Sequence, residues 1–445
     1  MTLSTNDLDF YFRMITISRE GVFIPKSFRS ICNKAREDLN VAPLPTQHVP
    51  RPFRFQCYVE YPEALLVPAY WARSRGMILK DIRPPGNPMT HTFAGELRVD
   101  LEQPQAVAAT VASLRSVGGA VLSLNVGGGK TCCALHIACT LKTKTLILVH
   151  KQFLADQWAS RIAQYVPGAT VSRIQGDTCD ISGDFVIAML QTVLSRNYAP
   201  SLFVPFGFLI VDESHHIAAK MFSQVMFTLN MPYTLGLTAT PSRRDGLERI
   251  LHFFLGPISY SKDLSTTQHK VKVNVIKYSC DAYAHPPPFN VRGDVDYTRL
   301  LSSIASNPAR TEFLADLVSE RLAGKDVLIL SHRRAHCEAL TKCLVSKGLD
   351  AALYIGGVKE IPSSKIIVSS YSYVSEGFDE PRLECLVLAT PSSDIAQTVG
   401  RILRGAPGEK DPTIYDVVDT WSVCYAQAAK RRKQYLVSGF VINQT

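Results

Sequence analysis

The chain has 445 residues, of which 46% are hydrophobic and 20% are charged, a composition that excludes a disordered or low-complexity fibrous protein. At roughly 100–200 residues per domain, this length predicts two or three domains, each with its own core. The 48 Lys and Arg residues exceed the 39 Asp and Glu residues by 9, and this positive charge favours a polyanionic partner.

The cysteine content and the N-terminal sequence both bear on the cellular compartment. Eleven cysteines cannot close a complete disulfide framework and no CxxC pair occurs, so a reducing compartment is expected. Residues 1–14 lack a basic segment followed by an apolar one, and no apolar run reaches the roughly 18 residues that span a bilayer. We therefore expect a soluble, intracellular protein that is neither secreted nor inserted in a membrane.

The first predicted domain is a small accessory domain at residues 1–88, in which short extended patterns alternate with proline-rich breaks. From residue 89 to 262 the sequence changes to short apolar runs separated by helical stretches. This pattern is typical of a parallel sheet buried on both faces. The strands predicted for this first lobe are 120–124, 145–149, 185–190, 208–211 and 234–238.

The same pattern returns in residues 298–445, which we predict to form a second lobe of the same architecture. Its predicted strands are 327–330, 351–355, 366–369, 386–389 and 414–418. Between the lobes, residues 263–297 combine a polar segment, an alternating run and three consecutive prolines, so we predict a linker there. The expected fold class is α/β, with two tandem parallel-sheet lobes and a small N-terminal accessory domain.

A candidate phosphate-binding loop follows the strand predicted at 120–124. It comprises Leu124, Asn125, Val126, Gly127, Gly128, Gly129, Lys130 and Thr131. Glycines let successive backbone N–H groups face a polyphosphate, Lys130 can reach the β- and γ-phosphates, and the Thr131 hydroxyl can bind Mg²⁺. Leu124 replaces the first glycine of the full GxxxxGK[ST] pattern. The alternative interpretation is a glycine-rich turn with an unrelated lysine.

Two adjacent carboxylates, Asp212 and Glu213, follow the apolar strand predicted at 208–211. In nucleotide sites, a carboxylate in this position holds Mg²⁺ and its neighbour can orient and deprotonate the attacking water. Either motif alone is moderately specific. Because both occur in this order, each at the end of a strand, nucleoside triphosphate hydrolysis is the leading chemistry.

Four segments, one of which includes the Asp212–Glu213 pair, resemble motifs of the superfamily 2 helicases. Residues 212–215 (DESH) and 237–241 (LTATP) resemble the DExH box and the TAT motif, 376–379 (EGFD) resembles motif V, and 397–404 (QTVGRILR) matches motif VI, QxxGRxxR. The resemblance covers about residues 91–420. It implies two RecA-like lobes of the P-loop NTPase fold, with ATP and Mg²⁺ bound between them.

The resemblance also implies roles for particular residues. Gln397 would contact the γ-phosphate, and Arg401 and Arg404, one helical turn apart, would act as arginine fingers. The residues expected to couple the phosphate state to lobe movement are His215, Thr238, Thr240, Gly377 and Asp379. A family glutamine about 25 residues before the phosphate loop reads adenine, and Gln105 fits this spacing better than Gln103. The alternative for Gln105 is an ordinary surface glutamine.

Nucleic-acid contacts are expected in loops that follow the predicted strands. The candidate residues are His150, Lys151, Gln191, Thr192, Arg243, Arg244, His332 and Arg333. Each of them could instead be an ordinary solvated loop residue. Contacts to the phosphate backbone carry little sequence information, so we expect binding that is largely sequence-independent and sensitive to salt.

Within the superfamily, the chain resembles the XPB-like branch, which includes phage branch-migration helicases and transcript-release helicases of large DNA viruses. The resemblance rests on the LxxGxGKT form of the phosphate loop, the run VHKxxLxxQW and the arginine pair after TATP. It implies an ATP-dependent DNA helicase or translocase that acts on single-stranded, duplex or branched DNA, at sites of viral, phage or cellular DNA metabolism. A transcription or recombination protein could recruit it. The alternatives are an RNA-dependent ATPase and a catalytically silent nucleic-acid clamp.

Two further clusters have ambiguous meaning. Cys132, Cys133, His136 and Cys139 lie at helical spacing, but the helix after a phosphate loop packs against the sheet, so core packing is favoured over zinc binding. The basic run 430–433 (KRRK) is either a nucleic-acid contact or a solvated helix end.

Overall fold

The computed structural model describes residues 15–45, 51–124, 127–214, 219–239, 246–262, 271–291, 293–356, 360–374, 378, 380, 382–392 and 412–444. The chain divides into two compact units, Met1–Lys262 and Asp263–Thr445. Each unit contains one large, mainly parallel sheet. Across the described residues, every helix is too short or too polar to cross a membrane.

The N-terminal part of the first unit combines short strands with two helices. Its elements are β1 (Thr16–Ile17), β2 (Val22–Pro25), α1 (Arg29–Asp38), β3 (Asn40–Val41), β4 (Phe55–Gln56), β5 (Val59–Glu60), β6 (Ala64–Val67), α2 (Ala69–Ser74) and β7 (Lys80–Asp81). The strand order is β5-β6-β2-β1-β7, and β3 pairs with β4 separately. Residues of β2 alternate between buried and half-buried positions, because successive side chains point to opposite faces of a sheet.

This N-terminal part shares one continuous apolar core with the rest of the first unit. Polar contacts add to the junction. The hydroxyl groups of Tyr70 and Thr234 lie 2.9 Å apart in a buried position. Arg19 donates a hydrogen bond to the Val204 carbonyl at 2.8 Å. The N-terminal part is therefore built into the first unit.

The large sheet of the first unit is formed by apolar strands that alternate with helices. Its strands are β8 (Gly119–Leu124), β9 (Thr145–Val149), β10 (Val171–Gln175), β11 (Thr178–Cys179), β12 (Phe185–Met189), β13 (Phe208–Val211), β14 (Tyr233–Thr238) and β15 (Ile258–Lys262). Its helices are α3 (Gln103–Val117), α4 (Lys130–Leu141), α5 (Gln152–Tyr165), α6 (Leu190–Arg196), α7 (Ala219–Met226) and α8 (Glu248–Leu255).

The strand order in this sheet is β11-β10-β12-β9-β13-β14-β8-β15. All neighbouring strands are parallel except the β10–β11 pair. Every residue of β8, β9 and β13 is buried, as expected for a parallel sheet that is covered on both faces. The structure therefore confirms the α/β class and the parallel sheet predicted for the first lobe.

The second unit repeats this architecture. Its strands are β16 (Lys272–Tyr278), β17 (Val327–Ser331), β18 (Ala351–Tyr354), β19 (Ile366–Ser370), β20 (Cys385–Leu388), β21 (Thr413–Asp419) and β22 (Val441–Gln444). Its helices are α9 (Tyr297–Ala305), α10 (Pro308–Arg321), α11 (Arg334–Ser346), α12 (Tyr371–Val374) and α13 (Ser422–Val437). The strands are parallel, in the order β18-β19-β17-β20-β21-β16-β22.

Strand β16 lies within the segment that the sequence predicts to be a linker. It pairs with β21 from Lys272 opposite Thr413 to Tyr278 opposite Asp419, and with β22 on its other side. Its pattern of exposed and buried residues is that of a strand near a sheet edge, which explains why it does not show the continuous apolar run of the central strands. Residues 272–278 therefore belong to the second unit.

The basic run 430–433 is split by the fold of α13. Arg431 is 1% exposed and donates to both carboxylate oxygens of Asp416, at 2.9 and 2.7 Å. The Tyr435 hydroxyl donates to the same carboxylate at 2.9 Å. The other three residues of the run, Lys430, Arg432 and Lys433, are exposed. The interpretation of the run as a uniformly solvated or nucleic-acid-binding segment is therefore wrong for Arg431, which attaches α13 to β21.

Candidate nucleotide-binding site

The glycine-rich loop lies between the last residue of β8, Leu124, and the first residue of α4, Lys130. Gly127 and Gly129 have φ angles of 83° and 80°, in the left-handed region that favours glycine. The Lys130 ammonium donates to the Leu124 carbonyl at 3.1 Å, so the side chain turns back over the loop. Thr131 follows in the first turn of α4 and is partly exposed. The described part of the loop therefore has two glycines in the left-handed region and a lysine side chain directed back to the end of β8.

Gln103, rather than Gln105, contacts this loop. The Gln103 amide nitrogen donates to the Gly128 carbonyl at 3.1 Å, and a Cβ added at Gly129 would lie 2.2 Å from that nitrogen. Gln103 is buried, whereas Gln105 is exposed. Side chains two positions apart on a helix do not share a face, so the glutamines of α3 point in different directions. The structure therefore places Gln103, and not the preferred Gln105, beside the loop. The adenine contact of either glutamine stays a prediction.

Asp212 directly follows the last residue of β13, and its carboxylate is buried. It accepts the indole N–H of Trp158 at 2.8 Å and the backbone N–H of Glu213 at 2.9 Å. Burial, and then the neighbouring Glu213 carboxylate, raise the pKa of Asp212 to about 6, although Trp158 and Lys130 act in the opposite direction. A divalent cation would supply the positive charge that favours the ionised carboxylate.

Trp158 is a site residue that the sequence analysis misses. It lies on α5, is 1% exposed, and directs its indole N–H at the Asp212 carboxylate. The signal available in the sequence is its place at the end of the run VHKxxLxxQW. A tryptophan in such a run is easily taken for core packing, because its hydrogen bond to Asp212 joins residues 54 positions apart.

A further contact joins the strand that carries the carboxylates to its neighbour in the sheet. The Ser214 hydroxyl donates to the Leu237 carbonyl of β14 at 3.3 Å. Thr238, the last residue of β14, is buried and pairs with Ser123 of β8. The structure therefore brings the ends of β13, β14 and β8 together, and the predicted coupling residue Thr238 lies between the carboxylates and the phosphate loop.

Two of the predicted nucleic-acid segments of the first unit contact each other. The Gln191 amide, at the start of α6, donates to the His150 carbonyl after β9 at 2.9 Å. Gln191 is exposed, and His150 and Lys151 are partly exposed. Thr192 is buried and its hydroxyl accepts a backbone N–H at 3.1 Å, so this hydroxyl serves the fold. Gln191, His150 and Lys151 remain predicted nucleic-acid contacts.

The predicted contacts of the second unit are partly used by the fold. The His332 ring lies against Tyr371 with centroids 4.3 Å apart, and its Nδ1 lies 2.9 Å from the Thr390 hydroxyl. Burial lowers the pKa of His332 to about 4, so it is neutral near pH 7. Arg333 donates to the Thr298 carbonyl at 2.8 Å and keeps its charge partly exposed. Of the two, Arg333 is the better candidate for a phosphate contact.

The remaining predicted site residues lie outside the described residues. They are Asn125, Val126, His215, Thr240, Arg243, Arg244, Gly377, Asp379, Gln397, Arg401 and Arg404. Their assignments stay predictions from the sequence.

The arrangement defines a class of protein. A glycine-rich loop joins a buried strand to a helix, and a buried carboxylate ends a strand two places away in the same parallel sheet. This is the construction of a P-loop nucleotide-binding fold. With a second parallel α/β unit in tandem, the chain has two RecA-like lobes.

Comparison with known proteins narrows this class. Residues 96–243 match the family described as "Type III restriction enzyme, res subunit". A protein of Acanthamoeba polyphaga mimivirus, provisionally named an ATP-dependent RNA helicase, is 30% identical over 441 residues, covering 94% of this chain and 84% of that protein. A protein of Escherichia phage T5, provisionally named a helicase, is 25% identical over 329 residues, covering 71% of each chain.

Among solved structures, a Vibrio vulnificus fragment provisionally described as the HsdR subunit of a type I restriction enzyme has a TM-score of 0.55. Its sequence identity is 18%, over 77% of this chain and 67% of that chain, so this likeness concerns the fold alone. The identity to the mimivirus protein over most of both chains shows the family. The chain belongs to the superfamily 2 helicases, in the branch with viral and phage helicases that its motifs indicate.

Proposed function

We propose that this helicase hydrolyses ATP with Mg²⁺ in order to move along or remodel DNA, by unwinding, branch migration or transcript displacement. The observation that carries the ATP half of the proposal is the buried Asp212 carboxylate, which Trp158 orients at the edge of the sheet that also ends in the glycine-rich loop. The DNA half rests on the resemblance to the XPB-like branch.

The residues at this edge of the sheet fit a magnesium nucleotide. Gly127 and Gly129, both with positive φ, would let backbone N–H groups turn toward phosphate oxygens, and Lys130 would add a positive charge. Asp212 and the Thr131 hydroxyl provide the oxygen ligands that Mg²⁺ prefers. When bound, Mg²⁺ neutralises charge that develops on the phosphate oxygens during transfer.

The other groups of the site receive distinct roles in this proposal. Glu213, with a φ of 45°, leaves the direction of β13 directly after Asp212 and would orient and deprotonate the water that attacks the γ-phosphate. Gln103, held by the Gly128 carbonyl, would read the nucleotide base. Gln397 would contact the γ-phosphate. Arg401 and Arg404 would stabilise the charge of the transition state.

The test is the steady-state ATPase activity of the purified full chain without nucleic acid and with single-stranded DNA, duplex DNA, branched DNA and single-stranded RNA at one fixed salt concentration. We expect strong stimulation by DNA, greatest with duplex or branched forms. Lys130→Ala should abolish nucleotide binding or turnover. Arg404→Ala should lower turnover by about three orders of magnitude, as loss of an arginine finger does. A loss of nucleic-acid affinity alone would instead assign Arg404 to the strand-binding surface.

A second candidate function is ATP-dependent remodelling of RNA, which the provisional name of the mimivirus relative favours. Stimulation by RNA and not by DNA would select this candidate and leave the ATP-site roles intact. If saturating DNA and RNA both leave ATP hydrolysis undetectable, the chain is a silent nucleic-acid clamp.

A further inference from the structure

A groove of about 690 Å³ opens at the junction between the N-terminal part and α7. One wall is the segment 53–59, which contains β4 and the first residue of β5. The other wall is formed by α7 and the residue that follows it. The lining residues are Asn40, Phe53, Arg54, Phe55, Gln56, Tyr58, Val59, Lys220, Ser223, Gln224 and Phe227. The groove is therefore built by both parts of the first unit.

The charge of this groove is positive. Arg54 and Lys220 are exposed, and none of the described residues that line the groove is acidic. Arg51, just before the lining segment, is also exposed. The acidic residue that follows Val59 is Glu60, and its carboxylate is paired with Arg36 at 2.6 Å and with Lys26 at 3.3 Å. The groove thus presents cations whose charge is complementary to a polyanion.

The ring of Phe53 lies beside one of these cations in the groove. Phe53 is 81% exposed, an unusual position for a phenylalanine, and the Lys220 ammonium lies 6.0 Å from its ring centroid. A planar ring open to solvent beside a cation can stack on a base while the cation meets the adjacent phosphate. A hydrophobic peptide would leave Arg54 and Lys220 without a charge partner, so charge complementarity favours a nucleic acid.

We propose that this groove binds a single strand of nucleic acid, with a base stacked on Phe53 and phosphates at Arg54 and Lys220. A single strand is required because the bases of a duplex are stacked on each other and cannot reach the ring. The inference rests on the proposed function, since it names a contact surface for the substrate of that helicase. The helix α7, which forms one wall of the groove, starts at Ala219, only six residues after Glu213. The groove is therefore close in sequence to the carboxylates of the proposed ATP site.

The first test measures binding of a fluorescein-labelled oligothymidylate to the full chain by fluorescence anisotropy. Phe53→Ala should weaken binding about tenfold, in the range found for loss of one stacked base, and Phe53→Tyr should restore it. The matched control is Phe289→Ala in the second unit, which removes a phenylalanine that is 50% exposed and should leave affinity unchanged. Unchanged thermal unfolding of Phe53→Ala would show that the variant is folded, as its exposure predicts.

The second test is the salt dependence of the same binding reaction. Each lost phosphate contact lowers the slope of log K against log salt by about 0.7 for a single strand. Lys220→Ala and Arg54→Ala should each lower the slope by about this amount, whereas Phe53→Ala should leave it unchanged. A strand carrying photoreactive 4-thiothymidine should form its crosslink in residues 51–59 or 219–227, the two walls of the groove.

The outcomes separate this inference from the proposed function. Equal affinities for Phe53→Ala and the wild-type protein, or crosslinks confined to other segments, would overturn the groove assignment while DNA-stimulated ATPase activity still stood. If no nucleic acid binds the chain, the proposed function fails first and the groove assignment with it.

Discussion

At the scale of single residues, the indole of Trp158 fixes the carboxylate of Asp212. A group that orients a metal ligand typically contributes 10–100-fold to metal affinity or activity. We predict that Trp158→Phe, which removes the N–H that lies 2.8 Å from Asp212, raises the Mg²⁺ concentration for half-maximal ATPase activity about tenfold or more. Magnesium titrations of the ATPase rate provide the measurement.

The chain offers a matched control for this change. Trp71 is also 1% exposed and donates its indole N–H to a carboxylate, that of Asp38, at 3.1 Å. Trp71→Phe should lower thermal stability through the same loss of packing but leave the Mg²⁺ requirement as in the wild-type protein. Equal Mg²⁺ curves for Trp158→Phe and Trp71→Phe would show that the indole of Trp158 serves packing alone.

The two glutamines of α3 provide a second residue-scale prediction. Gln103 contacts the Gly128 carbonyl, whereas Gln105 is exposed. Gln103→Ala should therefore raise the KM for ATP about tenfold, because one hydrogen bond and the support of the loop are lost. Gln105→Ala should leave KM within the error of the assay. The opposite pattern in a steady-state ATPase comparison would return the adenine contact to Gln105.

At the scale of elements, Arg431 attaches α13 to β21 through a buried ion pair. Removing one partner leaves the Asp416 charge buried and unpaired, which costs about 3–5 kcal/mol. Arg431→Ala should lower the free energy of unfolding of the second unit by about this amount, measured by urea denaturation. Arg432→Ala, at the exposed next position, should change it by less than about 0.5 kcal/mol. Unaltered stability of Arg431→Ala with weaker nucleic-acid binding would contradict the structural role.

A buried histidine on α11 makes the stability of the second unit depend on pH. His336 is buried with its Nδ1 2.9 Å from the Ser331 hydroxyl, and burial, assisted by the positive charge of Arg310, lowers its pKa to about 3. The folded state keeps this imidazole neutral, while the unfolded chain takes up a proton below its ordinary pKa of about 6.5. Acidification therefore favours unfolding between about pH 6.5 and pH 3.

The loss of unfolding free energy grows by about 1.4 kcal/mol for each pH unit below the pKa of the histidine in the unfolded chain. Between pH 6.5 and pH 5 the proton uptake by His336 should remove about 2 kcal/mol from the free energy of unfolding of the second unit. His336→Gln cannot take up this proton, so its stability should fall less steeply over the same range. Parallel pH profiles of thermal unfolding for the two proteins would contradict the assignment.

At the scale of the whole molecule, the sequence predicts the fold better than the side-chain contacts. The central strands are recognisable because burial on both faces requires continuous apolar runs, as in β9 and β13. Strand β16, near a sheet edge, has a mixed pattern and is predicted as part of a linker. Its place in the sheet depends on pairing with β21, more than 100 residues further along the chain.

In the candidate site too, motifs that are local in sequence are predicted, whereas contacts between residues far apart in the chain are not. The loop with Lys130 and the carboxylates of Asp212 and Glu213 are recognisable because their spacing is local in sequence. The role of Trp158 depends on a hydrogen bond to a residue 54 positions away, and burial of Arg431 depends on how α13 packs. Such contacts are set by tertiary structure, so residue type and spacing do not identify them.

We propose that ATP hydrolysis moves this chain along DNA. The most direct measurement is ATP-dependent displacement of a triplex-forming third strand from duplex DNA by the wild-type protein and by Glu213→Gln. We predict displacement by the wild-type protein with ATP and Mg²⁺, none with a non-hydrolysable analogue, and none by Glu213→Gln, which should still bind ATP. DNA-stimulated hydrolysis without displacement, or equal displacement by Glu213→Gln, would contradict movement along DNA.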